Sequence, residues 1–192
     1  MTAPAASDVP DTARCFLALL PDAASRETLS ALRETHAGTA ANARGLRWVD
    51  ASSLHLTLRF LGDTTTAQAE YLKHMLPTLA CDLPKIPSRR CAIWPNRARP
   101  RVLVLELDAP AELQTLAQAS EALARKCGFE PDSRAFKAHL TLARLRPGCA
   151  LGSSGVPPVQ LTFDTLALMA SDLRATGARY RSLARIPLPV PA

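Results

Sequence analysis

The tetrapeptide His-Leu-Thr-Leu occurs twice in this sequence, at residues 55–58 and again at residues 139–142. The chain has only 4 histidines in 192 residues, so half of them stand at the head of one short motif. Successive side chains of an extended strand point to opposite faces, so each copy sends its leucines to one side and its histidine and threonine to the other. The repeat therefore predicts two strands that bury their leucines and present the same pair of polar side chains.

The residues that follow the motif differ between the two copies, because Arg-Phe follows the first and Ala-Arg the second. Strict alternation places Arg59 on the histidine side of its strand, where it is a candidate for the rim of a binding site. The same alternation places Arg144 on the leucine side. Arg144 reaches the polar surface only if a bulge or the end of the strand shifts the alternation.

Apolar spacing and turn residues predict an α+β order of helices and strands around the repeat. The predicted helices cover residues 22–36, 66–80 and 111–127. The predicted strands cover residues 14–20, 46–49, 54–61, 86–94, 101–108, 137–144, 161–171 and 179–187. We expect a disordered tail at residues 1–13, one domain of two similar halves at residues 14–187, a loop or short lid at residues 147–158 and a C-terminal tail at residues 188–192.

Composition narrows the class of protein. With 47% hydrophobic residues the chain can form a core, and no apolar run approaches the roughly 18 residues of a membrane span. The first 13 residues lack the basic flank and apolar run of a secretory signal, which favours a cytoplasmic protein with no membrane association. The 5 cysteines form no C-x-x-C pair and are expected to be reduced thiols. The net charge of +6 favours anionic partners such as nucleotides or RNA, although the arginines are scattered.

The paired motif suits proton transfer at a phosphate. Imidazole accepts and donates protons near neutral pH, and threonine hydroxyls can hold phosphoryl oxygens. In an in-line displacement at phosphorus the attacking water and the leaving oxygen lie on opposite sides, so each needs its own proton carrier. His55 and His139 could fill those two positions with Thr57 and Thr141 on the phosphate, and the scheme requires no metal.

Two other interpretations of the histidines are weaker. One H-x-T sequence alone is typical of any half-exposed strand, but its repetition with the same alternation favours a functional site. A metal site would need further ligands beside His55 and His139. His36 and His74 lie in predicted helices without ligand spacing, so we expect them at the surface.

Paired H-x-T-x motifs on two strands resemble the signature of the two-histidine phosphoesterase superfamily. The wider pattern is similar to its RNA 2′,3′-cyclic phosphodiesterase branch, often named 2′-5′ RNA ligase. The similarity extends beyond the motifs along nearly the whole chain. The segments that carry it are RCFLALLPDAASRETL, LRWVDASSLHLTLRFLGD, RPRVLVLEL, GFEPDSRAFKAHLTLAR and ARYRSLARIPL.

The resemblance implies a bilobal α+β fold, in which two antiparallel sheets related by a pseudo-twofold face a central cleft and helices pack outside. It implies the hydrolysis of a 2′,3′-cyclic phosphate on RNA or a nucleotide to a 2′-phosphate. Nothing in the sequence requires a cofactor or a partner chain, so we expect a monomer without cofactors. His55 would be the proton donor and His139 the proton acceptor, while Thr57 and Thr141 bind the phosphate. Arg144 would neutralise phosphate charge, and Phe16 could stack on a base.

The sequence departs from the family at Ala138, where relatives usually carry proline, but this change removes no chemical group. Three alternatives to cyclic phosphodiesterase activity stay open. The same site could join RNA ends through a 2′-5′ linkage, because a catalyst accelerates both directions. It could act on another cyclic or 2′-5′ nucleotide, since the motif contacts only the phosphate. The chain could also be an RNA-binding module without turnover, against which the intact His and Thr residues argue.

Overall fold

A computed structural model describes residues 12–39, 45–146, 149, 158–174 and 177–189. Strands and helices follow one another along these residues in the predicted α+β order. The elements are β1 (Thr12–Pro21), α1 (Ala23–Thr39), β2 (Leu46–Trp48), β3 (Leu56–Thr65), α2 (Thr66–Met75), β4 (Ile86–Trp94), β5 (Val102–Leu107), α3 (Ala111–Lys126), β6 (His139–Leu145), β7 (Gln160–Leu161), β8 (Phe163–Arg174) and β9 (Gly177–Pro187).

Each predicted helix and strand has a counterpart, and the differences lie at the ends. β1 begins at Thr12, inside the predicted tail, and Leu188 is buried although it was assigned to the C-terminal tail. The short strand β7 was not predicted. Residues 1–11 and 190–192, and all of the predicted lid except Cys149 and residue 158, lie outside the described residues.

The strands pair antiparallel in the order β7-β4-β5-β6-β3-β1-β8-β9, and β2 extends the sheet beside β6. The strands β3, β1, β8 and β9 form one half, and β6, β5, β4 and β7 form the other. Among the described residues, the strands of the two halves pair at one position, Leu56 opposite Leu140, which are the first leucines of the two motifs. The two predicted sheets are therefore two halves of one continuous sheet, joined edge to edge at the motifs.

The leucines of both motifs form the centre of the hydrophobic core. Leu56 and Leu140 are fully buried, and the helices pack on this side of the sheet. Helix α3 places apolar residues at helical spacing, among them Leu113 and Leu116, in the same core. Burying a leucine side chain contributes about 1.5–3 kcal/mol, so core burial fixes which way each motif strand faces. The opposite face carries the histidines and threonines and is called the histidine face below.

Both motif strands contain a β-bulge at the same place. The second leucine of each motif, Leu58 or Leu142, is passed over in the pairing with the neighbouring strand. Two residues then oppose one, and the alternation of side chains shifts by one position after the bulge. The shift turns Arg144 to the histidine face and Arg59 to the core side.

The described residues include no helix that is long and apolar enough to cross a membrane. All five cysteines are free thiols; Cys15 and Cys149 are buried and the other three are half-buried. His74 is exposed in the last turn of α2, as predicted, whereas the side chain of His36 lies outside the described part of the chain.

Candidate active site

The two motifs lie side by side where the halves of the sheet join. Leu56 pairs with Leu140 in an antiparallel register, which directs His55 toward Thr141 and Thr57 toward His139 on the histidine face. All four polar side chains are half-buried. Within the described part of the chain, neither threonine hydroxyl forms a hydrogen bond, so both are free to bind a ligand.

Both imidazoles are oriented by the same backbone contact. Nδ1 of His55 lies 2.7 Å from the Ser53 carbonyl oxygen, and Nδ1 of His139 lies 2.7 Å from the Lys137 carbonyl oxygen. A carbonyl only accepts, so each Nδ1 carries a proton and donates it. Nε2 is then the nitrogen at which each ring accepts or releases a proton. This is the usual arrangement, in which a second partner fixes the tautomer of a functional histidine.

The surroundings of His55 are aromatic. Its ring centroid lies 4.8 Å from that of Phe16 and 5.0 Å from that of Tyr180. Burial lowers the pKa of His55 below its ordinary value, and the charges of His139 and Arg144 lower it further, while the hydrogen bond to Ser53 opposes the shift. These surroundings therefore favour neutral imidazole at His55 near pH 7.

His139 lies against a different aromatic residue, and its hydrogen bond to Lys137 is exposed, whereas that of His55 to Ser53 is partly buried. Its ring centroid is 4.5 Å from that of Trp94, and the Lys137 ammonium lies 5.8 Å from the Trp94 ring. The indole Nε1 of Trp94 donates to Glu106, whose carboxylate also pairs with Arg90 at 2.8 Å. The hydrogen bond from Arg90 holds the pKa of Glu106 below its usual range, so this carboxylate stays charged and fixes the indole.

Arg144 links the two halves across the histidine face. Its Nη2 donates to the Tyr180 hydroxyl over 3.1 Å. Their strands, β6 and β9, are four positions apart in the sheet, which is about 19 Å in a flat sheet with strands about 4.8 Å apart. The two side chains are too short for that span, so the sheet must curve around the histidine face. This face is the floor of a cleft between the halves, as the sequence predicts.

Arg59 does not reach the site, and its assignment to the rim was wrong. The bulge at Leu58 turns it to the core side, where it is only 8% exposed. There it forms ion pairs with Glu121 of α3 and with Asp132, and it donates to the Glu130 carbonyl. The alternation pattern failed because it assumed a strand without a bulge.

Phe16 lies in the site but is only 3% exposed, beneath His55 and Tyr180. Little of its ring is open to a base, so its observed contact is support of the imidazole. Tyr180 and Trp94 were missed by sequence reasoning. Each is an aromatic residue in an otherwise aliphatic or polar strand, and only the pairing of distant strands shows that it reaches a histidine.

The chemistry available here is proton transfer beside a bound anion. Two Nε2 atoms, two threonine hydroxyls and the Arg144 guanidinium face the cleft. Among the described residues no three His, Cys, Asp or Glu side chains are grouped to hold a metal ion. The residues present suit a phosphate whose attacking and leaving oxygens each meet an imidazole.

The family model and the similar proteins point to the same family. The family model described as LigT like phosphoesterase matches residues 19–104 and again residues 105–180, so each match contains one motif. An RNA 2′,3′-cyclic phosphodiesterase of Aquifex aeolicus is 35% identical over 104 residues, which are 52% of this chain and 55% of that protein. One from Archaeoglobus fulgidus is 29% identical over 133 residues, which are 69% of this chain and 73% of that protein. The match to the Aquifex relative thus spans only about half of its length.

Solved structures match over more of the chain. A crystal structure of a protein from Thermus thermophilus has a TM-score of 0.71 and 26% identity, over 91% of this chain and 97% of that one. The crystal structure of E. coli LigT in its apo form has a TM-score of 0.69 and 26% identity, over 93% of this chain and 98% of that one. The similarity therefore includes both halves of the sheet and the cleft between them.

Proposed function

This chain belongs to the LigT-like phosphoesterase family, and on that premise we propose that it is an RNA 2′,3′-cyclic phosphodiesterase. It opens a terminal cyclic phosphate to a 2′-phosphate without a metal ion. The observation that carries the proposal is the joining of the two motifs at Leu56 and Leu140. That register brings both imidazoles, each with Nε2 free, to the same cleft as both threonine hydroxyls.

The reaction divides the proton transfers between the two histidines. His139 takes a proton from water as the water oxygen bonds to phosphorus. His55 gives a proton to the 3′ oxygen as its bond to phosphorus breaks. Thr57 and Thr141 donate to the non-bridging oxygens, and Arg144 neutralises the charge that develops on them.

The cleft favours this chemistry in two ways. Phe16 and Tyr180 exclude water around His55, so the imidazolium that forms interacts strongly with the phosphate anion. E. coli LigT has been crystallised with phosphate and with 3′-AMP, and its fold matches this chain over both halves. We extend that ligand class to this protein, which we also propose acts as a monomer in the cytoplasm, where unpaired thiols such as its five cysteines stay reduced.

The test is product analysis in the presence of EDTA. The purified protein is incubated with a short RNA that ends in a 2′,3′-cyclic phosphate, and the position of the product phosphate is determined. We expect a 2′-phosphate and full activity in EDTA. His55→Ala and His139→Ala should each lower kcat by about 100-fold or more, the usual scale of general acid or base catalysis. Thr57→Val and Thr141→Val should lower kcat/KM by roughly tenfold each, since each removes one hydrogen bond to the phosphate.

His74→Ala is the matched control, because His74 is an exposed histidine on α2, away from the motifs. It should retain wild-type rates. A 3′-phosphate product, loss of activity in EDTA, or unchanged activity in both motif histidine variants would overturn the proposal.

A further inference from the structure

Two arginines face each other on the histidine face. Arg47 of β2 is paired directly with Arg144 of β6, and the register runs without a shift from Leu46 to Trp48. Directly opposed residues of an antiparallel pair point to the same side of the sheet, with Cβ atoms about 4.5–5.5 Å apart. Arg144 points to the cleft, since it contacts Tyr180. Arg47 therefore projects from the cleft floor beside it.

This arrangement is unfavourable without an anion. Like charges directly opposite each other destabilise a strand pair. In the ranges that the structure describes, no carboxylate pairs with either guanidinium. Other arginines of this chain do pair with carboxylates. Arg59, Arg90 and Arg134 each form an ion pair with an acidic side chain.

The two arginines lie at different distances from the motif threonines, which suits them to bind different phosphates. Arg144 lies two effective strand steps from Thr141, roughly 7 Å along β6, because the bulge absorbs Leu142. Arg47 lies one further strand spacing away, at the edge beside β6. A phosphate held by the threonines and Arg144 leaves the Arg47 guanidinium free for a second anion.

We propose that Arg47 binds the phosphate on the 5′ side of the terminal nucleoside, and so makes the protein prefer substrates that carry a second phosphate there. This inference rests on the proposed function, because it assumes that the reacting phosphate is at the motifs. The ligand is a nucleoside 2′,3′-cyclic phosphate with either a 5′-phosphate or a 5′ phosphodiester to a preceding nucleotide. The net charge of +6 agrees with a polyanionic substrate.

Three substrates show how the second phosphate affects kcat/KM. They are adenosine 2′,3′-cyclic phosphate, the same compound with a 5′-phosphate, and a short RNA with the same 3′ end. We expect kcat/KM to rise by about five- to tenfold from the first to the second compound, as one charge-assisted contact is gained. If the rise occurs only with the RNA, the site binds another part of the preceding nucleotide, and the assignment of Arg47 to the 5′-phosphate is wrong.

The variant Arg47→Gln should remove most of that rise, and its activity should depend less steeply on salt. The expected change in the logarithmic salt slope is roughly 0.7 for one phosphate of a single strand. Arg125→Gln is the matched control, because Arg125 is exposed on α3 on the other side of the sheet. It should keep both the rise and the slope. Equal ratios in Arg47→Gln and wild type would overturn the inference.

A binding experiment separates this inference from the proposed function. Calorimetry with adenosine 2′-phosphate and adenosine 2′,5′-bisphosphate measures the second phosphate without turnover. We expect the bisphosphate to bind about five- to tenfold more tightly to wild type and with little advantage to Arg47→Gln. If the bisphosphate binds more tightly but no cyclic substrate is hydrolysed, the anion site is upheld and the enzymatic function is rejected. If cyclic substrates are hydrolysed but the two ligands bind equally well, the enzymatic function is upheld and the anion site is rejected.

Discussion

The two histidines of the repeat are chemically unequal although their motifs are identical. His55 is enclosed by Phe16 and Tyr180, and this burial lowers its pKa. His139 rests on Trp94, and its hydrogen bond to Lys137 is more exposed than that of His55 to Ser53. A proton donor must begin the reaction protonated, whereas the protein surroundings alone favour neutral His55. An anionic phosphate in the cleft opposes the burial and raises the pKa, so substrate binding prepares His55 for its proposed role.

This difference predicts how the two pH profiles separate. In the free enzyme, protonated His55 is lost as pH rises through its lowered pKa, so the alkaline limb of kcat/KM should begin below the ordinary value of 6.5. In the complex the phosphate raises that pKa, so the alkaline limb of kcat should lie at higher pH. Rates measured from about pH 4.5 to pH 9 on a cyclic nucleotide test this. Coincident alkaline limbs would contradict it.

The same profiles assign the roles of the histidines. With the proposed assignment, the residual activity of His55→Gln should lose the alkaline limb, and that of His139→Gln should lose the acidic limb. The opposite pattern would exchange donor and acceptor between the motifs without disturbing the rest of the mechanism.

At the scale of strands and helices, the alternation rule succeeded within each motif and failed just beyond it. It placed the leucines in the core and His55 and His139 on the opposite face, since burial of apolar area decides that choice. It could not place Arg59 or Arg144, because a bulge depends on the pairing with the neighbouring strand and no residue in either motif indicates one. The aromatic contacts of Tyr180 and Trp94 were equally hidden, as they depend on strands distant in sequence.

The displaced Arg59 has a structural role that can be measured. It joins β3 to α3 through Glu121 and to the segment before the second motif through Asp132 and Glu130. Removing one partner from a largely buried ion pair leaves the other charge unpaired, at a cost of about 3–5 kcal/mol, and the partial exposure of Glu121 reduces this to roughly 2–3 kcal/mol. Arg59→Ala should lower the free energy of unfolding in urea by that amount.

Arg134→Ala provides the comparison for Arg59, because Arg134 pairs with the same Asp132 but has a side chain 75% exposed. It should cost at most about 1 kcal/mol. If the two variants lose equal stability, the Arg59 ion pairs are not the connection between β3 and α3 that their burial indicates. A changed m-value in Arg59→Ala would instead show an altered unfolded or native state.

At the scale of the whole molecule, the site and the joint between the halves are the same place. Among the described residues, one strand pair, Leu56 with Leu140, joins the two halves of the sheet, while Arg144 and Tyr180 connect the halves across the cleft. The site therefore exposes polar groups and encloses an ionisable His55 at the place where the two halves are joined. Function and stability should respond to pH through the same residue.

Stability should fall in two separate pH ranges. Folded His55 has a lowered pKa, so the unfolded chain binds its proton first, and stability decreases as pH falls through 6.5. Asp132 has a pKa of about 2, held down chiefly by its hydrogen bond from Arg134, and an ordinary value of 3.8. Its contribution is complete above pH 3.8 and is lost as pH falls toward 2. Urea midpoints measured at half-unit steps from about pH 8 to pH 2.5 should show both declines.

The variant His55→Gln should remove only the first decline, which begins near the ordinary pKa of 6.5, because glutamine does not titrate. His74→Gln should keep it, since His74 is exposed on α2. Inorganic phosphate should reduce the first decline in wild type but not in His55→Gln, as an anion in the cleft favours the imidazolium. Equal slopes in wild type and His55→Gln over this range would show that enclosure by Phe16 and Tyr180 does not set the protonation of His55. The proposed separation of the two kinetic profiles would then lose its physical basis.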